Sequence, residues 1–375
     1  MDALRYAQDL VRHPTVSSSS NENICEYLGA VLARQGFSVE RIPYTDPMGV
    51  AKVNLVGRKG LGEGGMAYFG HTDVVPARSW SGPGRDPFDP TVAGDRLYGR
   101  GSCDMKGSIA CMLAAVDRTA GLEPRAPLYL ALTADEEVGY LGASEVARRS
   151  EHFREMVATG SRGIVGEPTM LEVVHAHKGT CGFRATARGR AAHSSTDQGI
   201  NANLAMIPFL VEMKRIHDET REDPAWQDGR FDPPGISWNI GINDHTAAVN
   251  VTPDKSVCTV YFRPAPGQDP TSLFDRSRAA ARECGLEFEV LGDGGPLHVD
   301  PDSNFVREVL GLAGRTGPRT VCYGTDGAVL GDLQRLLVLG PGDIAQAHTA
   351  DEWIRLEQLD KGTQLFASLI RRWCA

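Results

Sequence analysis

LYLALTADEEVG (residues 128–139) carries an apolar run straight into three consecutive acids. The run, bounded by Pro127 and the acids, predicts a strand whose carboxyl end is charged. Other short apolar runs lie around it: FSVERI (37–42), VNLVG (53–57), MAYFG (66–70), RGIVG (162–166) and LLVLG (336–340). Helical periodicity covers 2–12 and about 21–35. KGSIACMLAAVDRTAG (106–121) predicts a helix rich in small residues on its packing side, and about 356–373 a long final helix. Strands alternating with helices define an α/β sheet. That architecture builds its sites at the carboxyl ends of the strands.

Acids and imidazoles stand at those ends, in glycine-rich turns: His71 in GHTDVVPA, Asp104 in GRGSCDMKG, Glu137 in ADEEVG, Glu167 in GEP and His348 in QAHTADE. Taken singly, each has an ordinary explanation, as a surface turn, a helix cap, a loop acid or an exposed histidine. Together they carry weight, because the first three intervals are each about one βαβ unit long. Two imidazoles and three carboxylates suit a pair of divalent cations sharing one ligand. The donor types favour zinc, with cobalt or manganese as substitutes. Such a pair activates water and polarises a carbonyl, so the expectation is a metal-dependent hydrolase. Asp73, two residues from His71, leaves an extended segment on the same face. It is expected to accept a hydrogen bond from the ring nitrogen that does not hold metal. Asp135, Glu136 and Glu137 repel one another and call for a cation or raised pKa values. One of them is expected to be a general base held off the metals. Spacing alone does not say which acid does which job.

The character of the sequence changes near residue 179. TCGFRATARG (180–189), a helix near 200–218, SWNIGI (237–242), SVCTVYF (256–262), a helix near 270–284 and LEFEVLG (286–292) follow in the ferredoxin-like order. The expected organisation is therefore a catalytic domain of 1–178 and 294–375, interrupted by an inserted domain of 179–293. With 375 residues, two domains is the ordinary expectation.

Composition narrows the function classes. A hydrophobic content of 41% and charged content of 23% are those of a soluble globular chain. A net charge of −9 and the lack of a basic stripe speak against nucleic-acid binding. No apolar run is long enough for a bilayer, and MDALRYAQDLVRHP lacks the regions of a signal peptide. Eight scattered cysteines without a C-x-x-C pair predict reduced thiols in the cytoplasm, with Cys103 a packing residue beside Asp104.

GHTDVVPA, GRGSCDMKG, TADEEVG, GEPT, HKG, RAAHSS, YFRP and LGPGDIAQAHTADEW occur in this order across essentially the whole chain. In them the sequence resembles the dinuclear zinc amidohydrolases, which include acetylornithine deacetylase, succinyl-diaminopimelate desuccinylase, aminoacylase and glutamate-releasing carboxypeptidases. The resemblance implies a zinc-peptidase-like catalytic domain, a mixed sheet flanked by helices, with an inserted ferredoxin-like lid and dimerisation domain. It further implies that His71, Asp104 and Glu167 hold one metal, and Asp104, Glu137 and His348 the other. By the same likeness Glu136 is the general base and Asp73 the partner of His71. His193 would be an oxyanion donor, often serving the partner subunit's site. Asn250 and Arg263 would bind the substrate carboxylate, Arg263 through its planar fork; a structural salt bridge is the competing role for that arginine. Gly340 and Gly342 could present main-chain N–H groups to the same carboxylate, although a tight turn alone explains them. A homodimer through the inserted domain is implied as well.

Within the family, GEPT with HKG and the stretch around His348 are most similar to the acetylornithine deacetylases. GTDGAVL (324–330) departs from their pattern and from that of the desuccinylases. The expected substrate is N2-acetyl-L-ornithine, which places the reaction in arginine biosynthesis. Alternatives are N-succinyl-diaminopimelate, another N-acyl amino acid, or a dipeptide or C-terminal residue. A non-catalytic binding relative would lack a ligand or the base, and all of them are present here.

Overall fold

The computed structural model describes residues 1–246 and 248–375. Contacts divide them into two compact units. The first comprises Met1–Ala176, His298–Arg319 and Thr325–Ala375; the second comprises His177–Leu297 and Thr320–Gly324. The short return segment Thr320–Gly324 thus groups with the inserted unit rather than with the discontinuous one.

The first unit is built on a mixed sheet. Its order begins Ser38–Thr45, Ala51–Lys59, Leu128–Thr133, Met66–His71, Arg162–Val165, Leu336–Val338 and Val174–His177. Four central strands, Leu128–Thr133, Met66–His71, Arg162–Val165 and Leu336–Val338, run parallel. Both faces are covered, which is why these strands are continuously apolar rather than alternating. Met66, Tyr68, Leu128, Leu130 and Leu132 join the core formed with helices Ala3–Val11, Glu22–Arg34, Lys106–Arg118 and Leu356–Cys374. On the opposite face Phe69 meets Phe153 of helix Glu151–Thr159, ring centroids 6.3 Å apart. Lys106–Arg118 is buried from Lys106 through Val116, so small residues are what allow it to lie so close to the sheet. It stops three residues before the expected end, at Thr119, whose N–H and hydroxyl both turn back onto the last carbonyls.

The inserted unit has the expected strand-helix-strand-strand-helix-strand order. Its antiparallel sheet runs Asn239–Asn243, Lys255–Phe262, Thr180–Arg188, Glu287–Gly294. Phe183, Phe209, Trp238, Phe262 and Phe274 form the centre of its core beneath helices Ala202–Glu222 and Thr271–Glu283. The strand expected at 237–242 begins only at Asn239, because Ser237 adopts φ +51° and turns Trp238 into the core. Among the described residues no helix is long and apolar enough to cross a membrane.

Candidate metal centre

The parallel strands deliver their acids and imidazoles to one end of the sheet. His71 closes Met66–His71 and pairs with Thr133, the last residue of Leu128–Thr133. Its Nε2 lies 3.1 Å from Asp104 Oδ1 and 3.7 Å from Glu167 Oε1. His348, held at φ +64°, directs its Nε2 to Asp104 Oδ2 at 3.3 Å and to Glu137 Oε2 at 3.0 Å. Asp104 therefore stands between two imidazoles, one oxygen toward each. His71, Asp104 and Glu137 place ligand atoms within 4.8 Å of one another, and so do His71, Glu136 and Glu167. The structure thus brings together all five expected ligands and Glu136.

The three acids after Leu128–Thr133 divide their work in a way spacing could not reveal. Asp135, at φ +59°, is buried in an ion pair with Lys52 Nζ at 2.7 Å, and its other oxygen accepts from the Tyr44 hydroxyl at 2.8 Å. It anchors the turn. Glu136 and Glu137 are left to face the cluster. Asp73 completes the anchor: its carboxylate accepts from the main-chain N–H groups of Glu136 (3.2 Å) and Glu137 (3.4 Å) and from the Ser17 hydroxyl (2.8 Å). This modifies the expectation for Asp73. The ring nitrogen Nδ1 of His71 makes its close contact with the main-chain carbonyl of Asp73, at 3.0 Å, while the nearest carboxylate oxygen is 3.7 Å away. The side chain is drawn off the imidazole by the N–H groups of the acid turn.

Charge in the cluster is out of balance without a cation. Burial, then neighbouring carboxylates, raise Glu137, and raise Glu136 and Glu167 well above the usual range. Burial also works to raise Asp104, but hydrogen bonds from His348 and His71 hold it well below that range. Hydrogen bonds to Asp104 and Glu137 push His348 up to about 10. In His71, burial disfavours the proton, yet the Asp104 hydrogen bond and the charges of Glu167 and Glu136 carry it well above its ordinary value. Oxygen and imidazole donors at this density suit divalent cations.

Two residues that the sequence reading passed over belong to the site's frame. Glu352 is wholly buried and bound by the loop that carries Asp104. Asp326, in GTDGAVL, is buried and accepts from Thr133 Oγ1 at 2.6 Å; burial pushes it up to about 6. Only their acidity within a quoted motif marked them.

The expected role of the two glycines is corrected. Gly340 N–H donates to Thr169 Oγ1 and Gly342 N–H to Gln358 Oε1, both at 3.2 Å, so neither is offered to a substrate. Space is what both positions require: a Cβ on Gly340 would stand 2.2 Å from the Gly166 carbonyl oxygen, and one on Gly342, at φ +95°, 2.7 Å from Cys103 Sγ. Cys103 is a buried packing residue, its thiol directed at the Asp343 carbonyl at 3.3 Å.

His193, Asn250 and Arg263 lie in the inserted unit. His193 is exposed, its Nδ1 2.7 Å from Ser195 Oγ, and it forms a β-bridge with Val251, next to Asn250. The Arg263 guanidinium lies over the Tyr261 ring at 5.2 Å. Its Nη1 is buried without a hydrogen-bond partner. Among the described residues no carboxylate pairs with it, so the structural salt bridge is not formed.

Acids and imidazoles gathered at one end of a parallel sheet, His348 among them half exposed, are the donor set of a metal-dependent hydrolase. The chain belongs to peptidase family M20/M25/M40, whose model matches residues 67–372. It is 34% identical to acetylornithine deacetylase of Myxococcus xanthus over 98% of this chain and 96% of that protein. To the Pasteurella multocida protein of the same name it is 33% identical, over 97% and 96%. Among solved structures it is similar to an M20 family metallo-carboxypeptidase of Sulfolobus solfataricus, with TM-score 0.78, 16% identity and coverage of 100% and 99%. Human carnosine dipeptidase 1 superposes with TM-score 0.75 at 15% identity, over 98% and 96% of the two chains. The mixed α/β fold is that of these M20 metallopeptidases.

Proposed function

We propose that the protein hydrolyses the amide bond of a small N-acyl amino acid, N2-acetyl-L-ornithine in particular, releasing ornithine and acetate. The observation that carries this is the full-length similarity to proteins named acetylornithine deacetylase. His71, Asp104 and Glu167 would hold one divalent ion, and Asp104, Glu137 and His348 a second, with Asp104 common to both. Bound there, two such ions, zinc or else cobalt or manganese, supply water activation and carbonyl polarisation. Glu136 takes a proton from the attacking water onto its carboxylate as the oxygen bonds to the acyl carbon. It then delivers that proton to the amine nitrogen as the C–N bond breaks. Asp73 and Asp135 fix the turn that aims it. His193 is proposed as a donor to the developing oxyanion, and Asn250 and Arg263 as ligands of the substrate carboxylate. A homodimer through the inserted unit and a reducing, cytoplasmic setting belong to the same proposal.

Glu136→Gln tests the assignment. The variant is expected to retain two metal ions per chain while turnover falls by roughly 10²–10⁴-fold; full turnover would reassign the base. Activity lost to a chelator should return with zinc, cobalt or manganese. Side-by-side assay of N-acetylornithine, N-succinyl-diaminopimelate, N-acetyl-methionine and a dipeptide tests the substrate, and preference for any of the last three overturns ornithine.

A further inference from the structure

Glu352 follows His348 by four residues and spends both carboxylate oxygens on the loop that presents Asp104. Its Oε1 accepts from the main-chain N–H groups of Cys103 (2.9 Å) and Asp104 (3.0 Å). Its Oε2 accepts from the Gly101 N–H (3.0 Å) and from Arg100 Nη1 (2.7 Å). Arg100, itself 2% exposed, donates through Nη2 to the Thr349 carbonyl at 3.0 Å, and the Gly99 N–H donates to the Glu352 carbonyl at 3.0 Å. These six hydrogen bonds cross-link the two segments.

A loop whose successive N–H groups converge on one point normally encloses an anion ligand. Here the chain supplies the anion itself, from the segment that also supplies His348. The clamp holds the main chain of Asp104 directly and lies four residues beyond His348. We infer that Glu352 is a positioning residue, assisted by Arg100. It locks Asp104 and His348 into one preassembled piece, so that both ligands are set relative to each other before a metal arrives. This rests on the metal-centre reading above. A purely structural clamp would stabilise the fold without affecting metal affinity, and the two roles separate on that point.

Full-length Glu352→Ala and Glu352→Gln are compared with wild type by zinc competition against a chromophoric chelator, alongside unfolding of the metal-free protein. In Glu352→Gln the shape is kept, but the amide nitrogen must face either N–H groups or the guanidinium. Removing such supporting hydrogen bonds typically weakens metal binding by about 10–100-fold, and that loss is expected in both variants. Arg58→Met, which breaks the ion pair with Glu155 elsewhere in the same unit, should leave zinc affinity unchanged. If Glu352→Ala does not fold, Glu352→Gln carries the test. Failure of both to fold assigns the clamp a structural role and overturns the inference. Zinc affinity within twofold of wild type in folded Glu352→Gln overturns it too, leaving the metal-centre reading intact. Wild-type protein that binds no zinc removes that reading and this one with it.

Discussion

Replacing Lys52 with Met should destabilise the protein far more than loss of one surface charge would. Lys52 and Asp135 are each 1% exposed, with Nζ 2.7 Å from Oδ1. The ammonium also donates to the Ser17 and Ser19 carbonyls at 2.5 and 2.9 Å. Without it, Asp135 keeps only the Tyr44 hydroxyl, and burial, which already raises its pKa, goes largely unopposed. Stripping one partner from a buried ion pair costs about 3–5 kcal/mol, because a lone charge is left in the interior. With roughly 2–4 °C of melting temperature per kcal/mol for a unit of this size, the midpoint should fall by about 10 °C. Adding Asp135→Asn to Lys52→Met neutralises the orphan, so the double variant should be more stable than the single one. Urea unfolding followed by circular dichroism measures both. A Lys52→Met variant within about 1 kcal/mol of wild type, or a double variant no better than the single, would refute the reasoning.

Acid should weaken the fold through His177, which burial pushes down to about 4. The unfolded chain takes up that proton below about pH 6.5 and the folded one does not, so stability declines as pH falls from about 6.5 to 4, by roughly 3 kcal/mol in all. Urea midpoints at pH 7 and pH 5 should diverge more for wild type than for His177→Gln; equal divergence excludes this histidine as a source. Gly340→Ala drives a methyl against the carbonyls of Gly166 and Glu167, 2.2 and 2.5 Å from its ideal position. It should cost about 1–3 kcal/mol and loosen zinc by moving the Glu167 turn, and unchanged zinc affinity would show that the turn does not respond.

What could be read in advance follows a physical division. Sandwiched strands such as Leu128–Thr133 announce themselves, because burial on both faces demands an unbroken apolar run. The three-residue strands Thr91–Ala93, Arg96–Tyr98 and Trp353–Arg355, which form a separate small sheet, are too short to show any period. The clustering of His71, Asp104, Glu137, Glu167 and His348 was legible because imidazoles and carboxylates recur in glycine-rich turns, although Asp104 heads a helix and His348 follows a 3-10 turn rather than closing a strand. Division of labour among Asp135, Glu136 and Glu137 was not, since it depends on Lys52 and Tyr44, which are remote in sequence. Glu352 was hidden for the same reason: its partners are mostly main-chain N–H groups about 250 residues away, and those leave no trace in residue type.

The strand Leu336–Val338 lies between Arg162–Val165 and Val174–His177, inside the sheet rather than at its margin. During synthesis, then, the nascent polypeptide must keep a gap beside Arg162–Val165 until Leu336–Val338, about 170 residues later, has left the ribosome. Chaperone demand should peak in that interval, and a product truncated before Leu336 would expose an unfilled backbone edge inviting aggregation.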